Sequence, residues 1–342
     1  MKKTLVAAAL LAAFGAASAQ TSVTLSGSMD LGFIKATATP LAINRGDNSK
    51  LIFSASENLG GGLRAIANAQ LRFDADTGLA GENGSSNPRP LFQGESRVGL
   101  EGSFGRVLLG RGLTAVQGPN GAYDSFAVTT VASQQGNLTA RYLTDPTNLA
   151  TRGSGRISNA VFYTSPNMGG LTVHATASTK ERTGTYHSGG LLTLAPVPAY
   201  GLLSLSAIYA AGPLNVMVGY ESNTVSTKFT QIGGTYDLGV AKLFGAYSSQ
   251  KAGGTSTTVD GLNAKVTGYG IGATFPMGAN AIKVGYAVSK GNNETIGNRG
   301  ISAGYQINLS ARTVIYTDIA KTRAQVSGVN TTALDLGIRH GF

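Results

Sequence analysis

The sequence predicts an all-β chain: a 16-stranded antiparallel barrel that crosses a membrane on its strands. Three observations carry this. Apolar and polar residues alternate with period 2 in segment after segment, as in strands with two different faces. Short turns rich in Gly, Pro and Asn alternate with long polar connections. No stretch beyond residue 20 reaches the ~18 apolar residues that a spanning helix needs. Composition agrees. The 342 residues include 48 Gly and 13 Tyr, and only 13% are charged. Such a chain has two kinds of surface, and its low charge excludes a disordered one. With no Cys, a disulfide framework, a thiolate zinc site, a thiol nucleophile and an iron–sulfur cluster are excluded.

The first segment is an address. Met1-Lys2-Lys3 is cationic, residues 4–17 are small and apolar, and Ala17-Ser18-Ala19 precedes Gln20. This pattern reads as a secretory signal, residues 1–19, cut between Ala19 and Gln20, with one barrel domain at 20–342. Loss of Lys2 and Lys3 lowers the net charge from +10 to +8. The surplus points to an anionic ligand, anionic lipid or nucleic acid, and export makes nucleic acid the least expected of these.

The strands follow in order. Val23, Leu25, Met29, Leu31 and Phe33 alternate with Thr24, Ser26, Ser28 and Asp30. Leu63, Ala65, Ala67, Ala69, Leu71 and Phe73 oppose Arg64, Ile66, Asn68, Gln70 and Arg72. Leu171, Val173, Ala175 and Ala177 continue the pattern, as do Leu214, Val216, Val218 and Tyr220. The last strand sets Leu334, Leu336, Ile338, His340 and Phe342 against Asp335, Gly337 and Arg339. Residues 241–250 and 312–320 mix the two faces. Seven short turns, among them 58–62, 103–105 and 276–280, alternate with eight long connections, which yields 16 strands. Placing every long loop at one end is the habit of outer-membrane barrels, with short periplasmic turns and long extracellular loops. The apolar stripe then faces lipid and the polar, Gly-rich stripe faces the lumen. Tyr and Phe near strand ends suit interfacial girdles.

Several motifs give the chain a family resemblance: Ser22-Val23-Thr24-Leu25, Glu57-Asn58-Leu59-Gly60-Gly61-Gly62-Leu63, Gly99-Leu100-Glu101-Gly102-Ser103-Phe104-Gly105, Phe162-Tyr163-Thr164-Ser165-Pro166-Asn167-Met168-Gly169-Gly170-Leu171 and the ending Gly337-Ile338-Arg339-His340-Gly341-Phe342. In this order they resemble the Gram-negative general diffusion porins of the beta-proteobacterial type. The resemblance implies a homotrimer in the outer membrane, surrounded by lipid and lipopolysaccharide, passing small hydrophilic solutes and inorganic anions without a cofactor. It implies that the third long loop, 115–155, folds into the pore. It also implies that terminal Phe342 serves as an assembly signal.

The family's constriction sets basic wall residues against acids on that loop. The matching wall positions are Lys50, Arg111 and Arg156. Alternation places Lys50 inward against Leu51, Phe53 and Ala55, and Arg156 inward against Ile157, Val161 and Tyr163. Arg111 shares parity with Val107 and Leu109, so it reaches the lumen only if the strand bends or ends after Gly110. Arg97 falls inward by alternation, without a family match. A family arginine expected near Gly94 is missing. On the loop, Asp124 is the expected acid, while Asp145 precedes Pro146 as a turn residue would. Rings of Arg and Lys favour anions, so the expected pore is anion-preferring.

Competing classes fit less well. A hydrolase needs a nucleophile beside a positioned His, but His174, His187 and His340 are scattered, so no catalytic residue is assigned. No spacing of His, Asp or Glu suggests a metal. A secreted adhesin would want a richer apolar interior, and a substrate-selective sugar channel would want stacked aromatics including Trp, of which there is none.

Overall fold

A computed structural model gives the fold of residues 21–44, 49–79, 91–127, 131–133, 155–179, 201–224, 226–251, 258–259, 262–263, 265–291, 297–324 and 327–342. The expected cut between Ala19 and Gln20, His187 and Asp145 lie outside the described residues.

Sixteen long strands form one antiparallel sheet: β1 (Thr21–Ala36), β2 (Ser49–Gly60), β3 (Leu63–Phe73), β4 (Glu95–Gly102), β5 (Gly105–Leu113), β6 (Arg156–Thr164), β7 (Leu171–Ser178), β8 (Leu202–Ala211), β9 (Leu214–Asn223), β10 (Lys228–Asp237), β11 (Lys242–Lys251), β12 (Lys265–Met277), β13 (Asn280–Gly291), β14 (Gly297–Asn308), β15 (Thr313–Ala324) and β16 (Asn330–Gly341). A short strand, Ala42–Asn44, tops β1. Each strand pairs with its neighbours in sequence, and β1 pairs with both β2 and β16, so the sheet closes on itself. Closure leaves no unpaired edge, which is what a sheet in hydrocarbon requires. No helix among the described residues is long and apolar enough to span a membrane. The segments with mixed faces form regular strands, β11 and β15.

Alternation decides the two surfaces. Val98, Leu109, Val161, Ile271 and Ile338 stand exposed on the outside. Their polar neighbours line the inside. The turn from β2 to β3 needs three residues at positive φ, and Gly60, Gly61 and Gly62 supply them at 87°, 59° and 80°, values that a Cβ would disfavour. Not every inward residue is polar. Leu108, Ile157, Phe162, Met217, Phe229 and Val266 are buried on the lumen side with Val116 and Tyr123 of the third loop. They form the seat on which the loop rests.

Candidate functional site: the pore wall and its inward loop

The loop enters the lumen directly after β5. Thr114 donates its hydroxyl to Glu221, and Ser204 donates to the same carboxylate oxygen at 2.8 Å. Val116 N donates to Ser204 Oγ at 3.2 Å, and Ser206 Oγ to Ala115 O at 2.7 Å. A single turn of helix, α1 (Gln117–Asn120), follows. Asn120 accepts from the Gln231 amide. Tyr123 OH donates to Asn215 Oδ1 at 2.8 Å, and Ser125 Oγ to Val284 O at 3.1 Å. Val131 N donates to Asp335 Oδ2 at 3.3 Å. The anchors run from β8 to β16, so the loop is laid along that half of the wall.

Glycines make the close fit possible. A Cβ on Gly233 would stand 2.5 Å from the Tyr123 ring, one on Gly219 2.8 Å from Val116, and one on Gly304 2.9 Å from the Phe126 ring. The Tyr123 phenol is buried against this wall, and burial raises its pKa from 10.0 to about 12.

The opposite wall, β2 to β6, carries the cations. Lys50 pairs across the ladder with Arg72, and both lie on the inner face. Arg97, also inner, is ion-paired to Glu95 and donates Nε to Asn68 Oδ1 at 3.4 Å. Its guanidinium lies 5.3 Å from the centre of the Phe162 ring. Towards the short-turn end, Arg64 pairs with Glu101 at 3.3 Å. There a cavity of about 470 Å³ is lined by Arg64, Arg97, Arg106, Glu101 and the hydroxyls of Ser22, Thr24, Ser54 and Ser56. His174 lies farther along the same level, accepting or donating to Thr164 Oγ1 at 3.1 Å.

Three expectations need correction. First, alternation does not carry Arg156 inward past Ile157. Ser158 and Asn159 together stand opposite Arg111, Asn159 has a φ of 53°, and Ile157 is buried with the inner cluster. This bulge inverts the parity of the strand's first residues. Arg156 is fixed instead by Nε donating to Gly94 O at 2.7 Å. Second, the ladder between β5 and β6 does break after Gly110, but the ladder to β4 runs on, pairing Arg111 with Ser96. Arg111 therefore keeps the parity of Leu109, with Nε donating to Gln93 O at 3.0 Å and Nη1 to Ser158 Oγ at 2.8 Å. Arg111 and Arg156 thus grip two successive carbonyls instead of projecting across the pore. Third, Asp124 is not an open acid facing this wall. It is buried, and its carboxylate accepts from Phe126 N at 2.9 Å and from Ser133 Oγ at 2.9 Å. Its cationic neighbour is Lys283, on the loop's own side.

Sequence reading passed over Arg72, Arg64, Arg106, Glu95 and Lys283 as site residues. The signal was available, since Arg72 and Arg64 share the polar stripe of β3. At the barrel seam, Phe342 N donates to Gly27 O at 3.1 Å and its carbonyl accepts from Gly27 N at 3.0 Å. Among the described residues no group of His, Cys, Asp and Glu could hold a metal.

The comparisons with known proteins agree with this architecture. The chain is 30% identical to outer membrane porin protein 32 of Delftia acidovorans and 27% identical to an outer membrane porin protein of Bordetella pertussis, over the full length of all three chains. Its fold is similar to the anion-selective porin from Comamonas acidovorans, with a TM-score of 0.77 at 25% identity over 94% of this chain and 100% of that one. The profile of the Gram-negative porins matches residues 6–326. The chain belongs to that family: it is a Gram-negative outer-membrane porin, a diffusion channel and not an enzyme.

Proposed function

We propose that this channel prefers anions, and that the preference arises on the β2–β6 wall. One observation carries this. The inward loop is anchored along β8–β16, so the open passage is bounded by the wall whose inner face bears Lys50, Arg72 and Arg97. Two of the wall's arginines are balanced, Arg97 by Glu95 and Arg64 by Glu101. Lys50 forms no ion pair among the described residues. A net positive wall within low-dielectric surroundings raises the local anion concentration. The solved anion-selective relative supports the same sign.

We further propose a homotrimer, with residues 1–19 removed on export and Phe342 read during assembly. A similar barrel, OmpT of Vibrio cholerae, has been solved in trimer form. The outer face of β3 and β4 supports a protein contact, because Ala65, Ala67 and Ala69 pair there with Leu100, Val98 and Ser96. Small residues permit close approach between membrane segments.

Proteoliposome swelling tests the channel reading. In an isosmotic neutral pentose, the parent and a Lys50→Ala/Arg72→Gln variant should swell at equal rates. In the salt of a sugar acid of similar size, the variant should be slower. Equal slowing in both solutes would show that the pair shapes the pore without selecting charge.

A further inference from the structure

Near the short-turn end, the lumen holds two opposite charges that face each other without meeting. On the inner face, Glu101 of β4 pairs in register with Arg64 of β3 on one side and with Arg106 of β5 on the other. Residues so opposed have Cβ atoms about 5 Å apart. Arg64 is already answered: Nη1 donates to Glu101 Oε1 at 3.3 Å, and Nη2 donates to Ser56 Oγ at 2.6 Å. Arg106 is exposed and, among the described residues, forms no ion pair and no side-chain hydrogen bond. Nor does Glu101 Oε2 accept a hydrogen bond from any of them. A guanidinium and a carboxylate oxygen therefore flank one slot, each open on that side.

One inward step towards the long loops, the same three strands turn apolar. Ile66 pairs with Gly99, and Gly99 with Leu108. Gly99 brings no side chain, so Ile66 and Leu108 bound a shallow apolar recess beside the slot. Both rows line the cavity of about 470 Å³, with the hydroxyls of β1 and β2 on its other flank. That volume lies within the roughly 300–1,000 Å³ of small-molecule sites. A plain anion drawn to Arg106 would meet the Glu101 carboxylate beside it. A plain cation drawn to Glu101 would meet two arginines. A ligand that carries both charges on neighbouring atoms answers both groups at once, and a hydrocarbon side chain on that ligand covers the recess.

We propose that this slot binds a free α-amino acid with an aliphatic side chain. The α-carboxylate accepts from the Arg106 guanidinium, the α-ammonium donates to Glu101 Oε2, and the side chain lies over Ile66 and Leu108. Arg64, itself held by Ser56, fixes the Glu101 carboxylate in place. The channel thereby retains one class of zwitterion near its short-turn mouth while other small solutes pass. The site rests on the chain being an open channel and is independent of the anion preference of the β2–β6 wall.

Potassium chloride current through the parent channel in a planar bilayer, at neutral pH, tests it. The probes are L-leucine, isocaproate (which lacks the ammonium), isoamylamine (which lacks the carboxylate) and L-serine (which lacks the hydrocarbon). Leucine should reduce the current saturably and add noise from single occupancy events. Isocaproate and isoamylamine should each need about tenfold more for the same block, the factor that a hydrogen bond to a charged group is worth. Serine should also be weaker than leucine, because it leaves Ile66 and Leu108 uncovered. Glu101→Gln should weaken leucine about tenfold and leave isocaproate as strong as before or stronger. Arg106→Gln should weaken both. Equal block by leucine and isocaproate would overturn the assignment in favour of a plain anion site. A leucine preference that survives Glu101→Gln would overturn it too. Should either variant fail to insert, the four probes on the parent carry the test alone. A parent that conducts potassium chloride without leucine block overturns the site and leaves the channel standing, whereas a parent that conducts nothing overturns the channel itself.

Discussion

At the residue scale, the pore's charge depends on which cations are already answered. Arg97 is held flat by Glu95, Asn68 and the Phe162 ring, so its field across the passage is largely cancelled. Lys50 has no such partner among the described residues. Lys50→Ala should therefore lower the chloride-to-potassium permeability ratio more than Arg97→Gln does. The loss should be at most about fivefold, the weight of one unit charge at close range in a water-like medium. Glu95→Gln should move the ratio the other way by releasing Arg97; bi-ionic potentials read both changes. Tyr123 gives a pH dependence. Its folded pKa of about 12 lies above the ordinary 10.0. The neutral phenol is the favoured form in the folded state, so its contribution is full below pH 10 and is lost as pH rises towards 12. Channel recordings should show loop noise appearing only in that alkaline window, and Tyr123→Phe should remove the pH dependence.

At the scale of elements, the inward loop is held by shape as much as by hydrogen bonds. Gly233→Val would place side-chain atoms where the Tyr123 ring lies. It should drive the loop towards the basic wall and reduce single-channel conductance without altering the far-ultraviolet dichroism. Phe126 is almost fully buried beside Gly304, and Phe126→Ala should destabilise the loop's seat by roughly 3–5 kcal/mol, seen as brief conductance transitions. Unchanged, quiet channels in either variant would contradict the anchoring described here. The same element explains where sequence reading stopped. Strict alternation fixes Lys50 and Arg97, because β2 and β4 run in phase. It fails at Arg156, because the bulge at Ser158–Asn159 adds one residue to β6, and no Gly or Pro in that stretch announces it. Asp124 was legible as a loop acid, but its capture by Phe126 N and Ser133 Oγ depends on a fold of the loop that spacing does not encode.

At the scale of the whole molecule, the barrel was the most legible feature. Strand count, turn positions and the polarity of the two faces all follow from period 2 and the alternation of loop lengths. Apolar inward residues such as Leu108, Met217 and Phe229 were not legible, since their reason is the loop that covers them. Closure rests on the seam between β1 and β16, where Phe342 and Gly27 exchange two backbone hydrogen bonds. Deleting Phe342 should reduce the heat-modifiable folded band on a gel and leave the surviving channels with parental selectivity. A pore governed by its basic wall is tested most directly by the zero-current potential of the parent protein in a planar bilayer across a potassium chloride gradient. A potential displaced towards the chloride equilibrium value is the predicted result. A displacement towards the potassium value would contradict a pore governed by the β2–β6 wall.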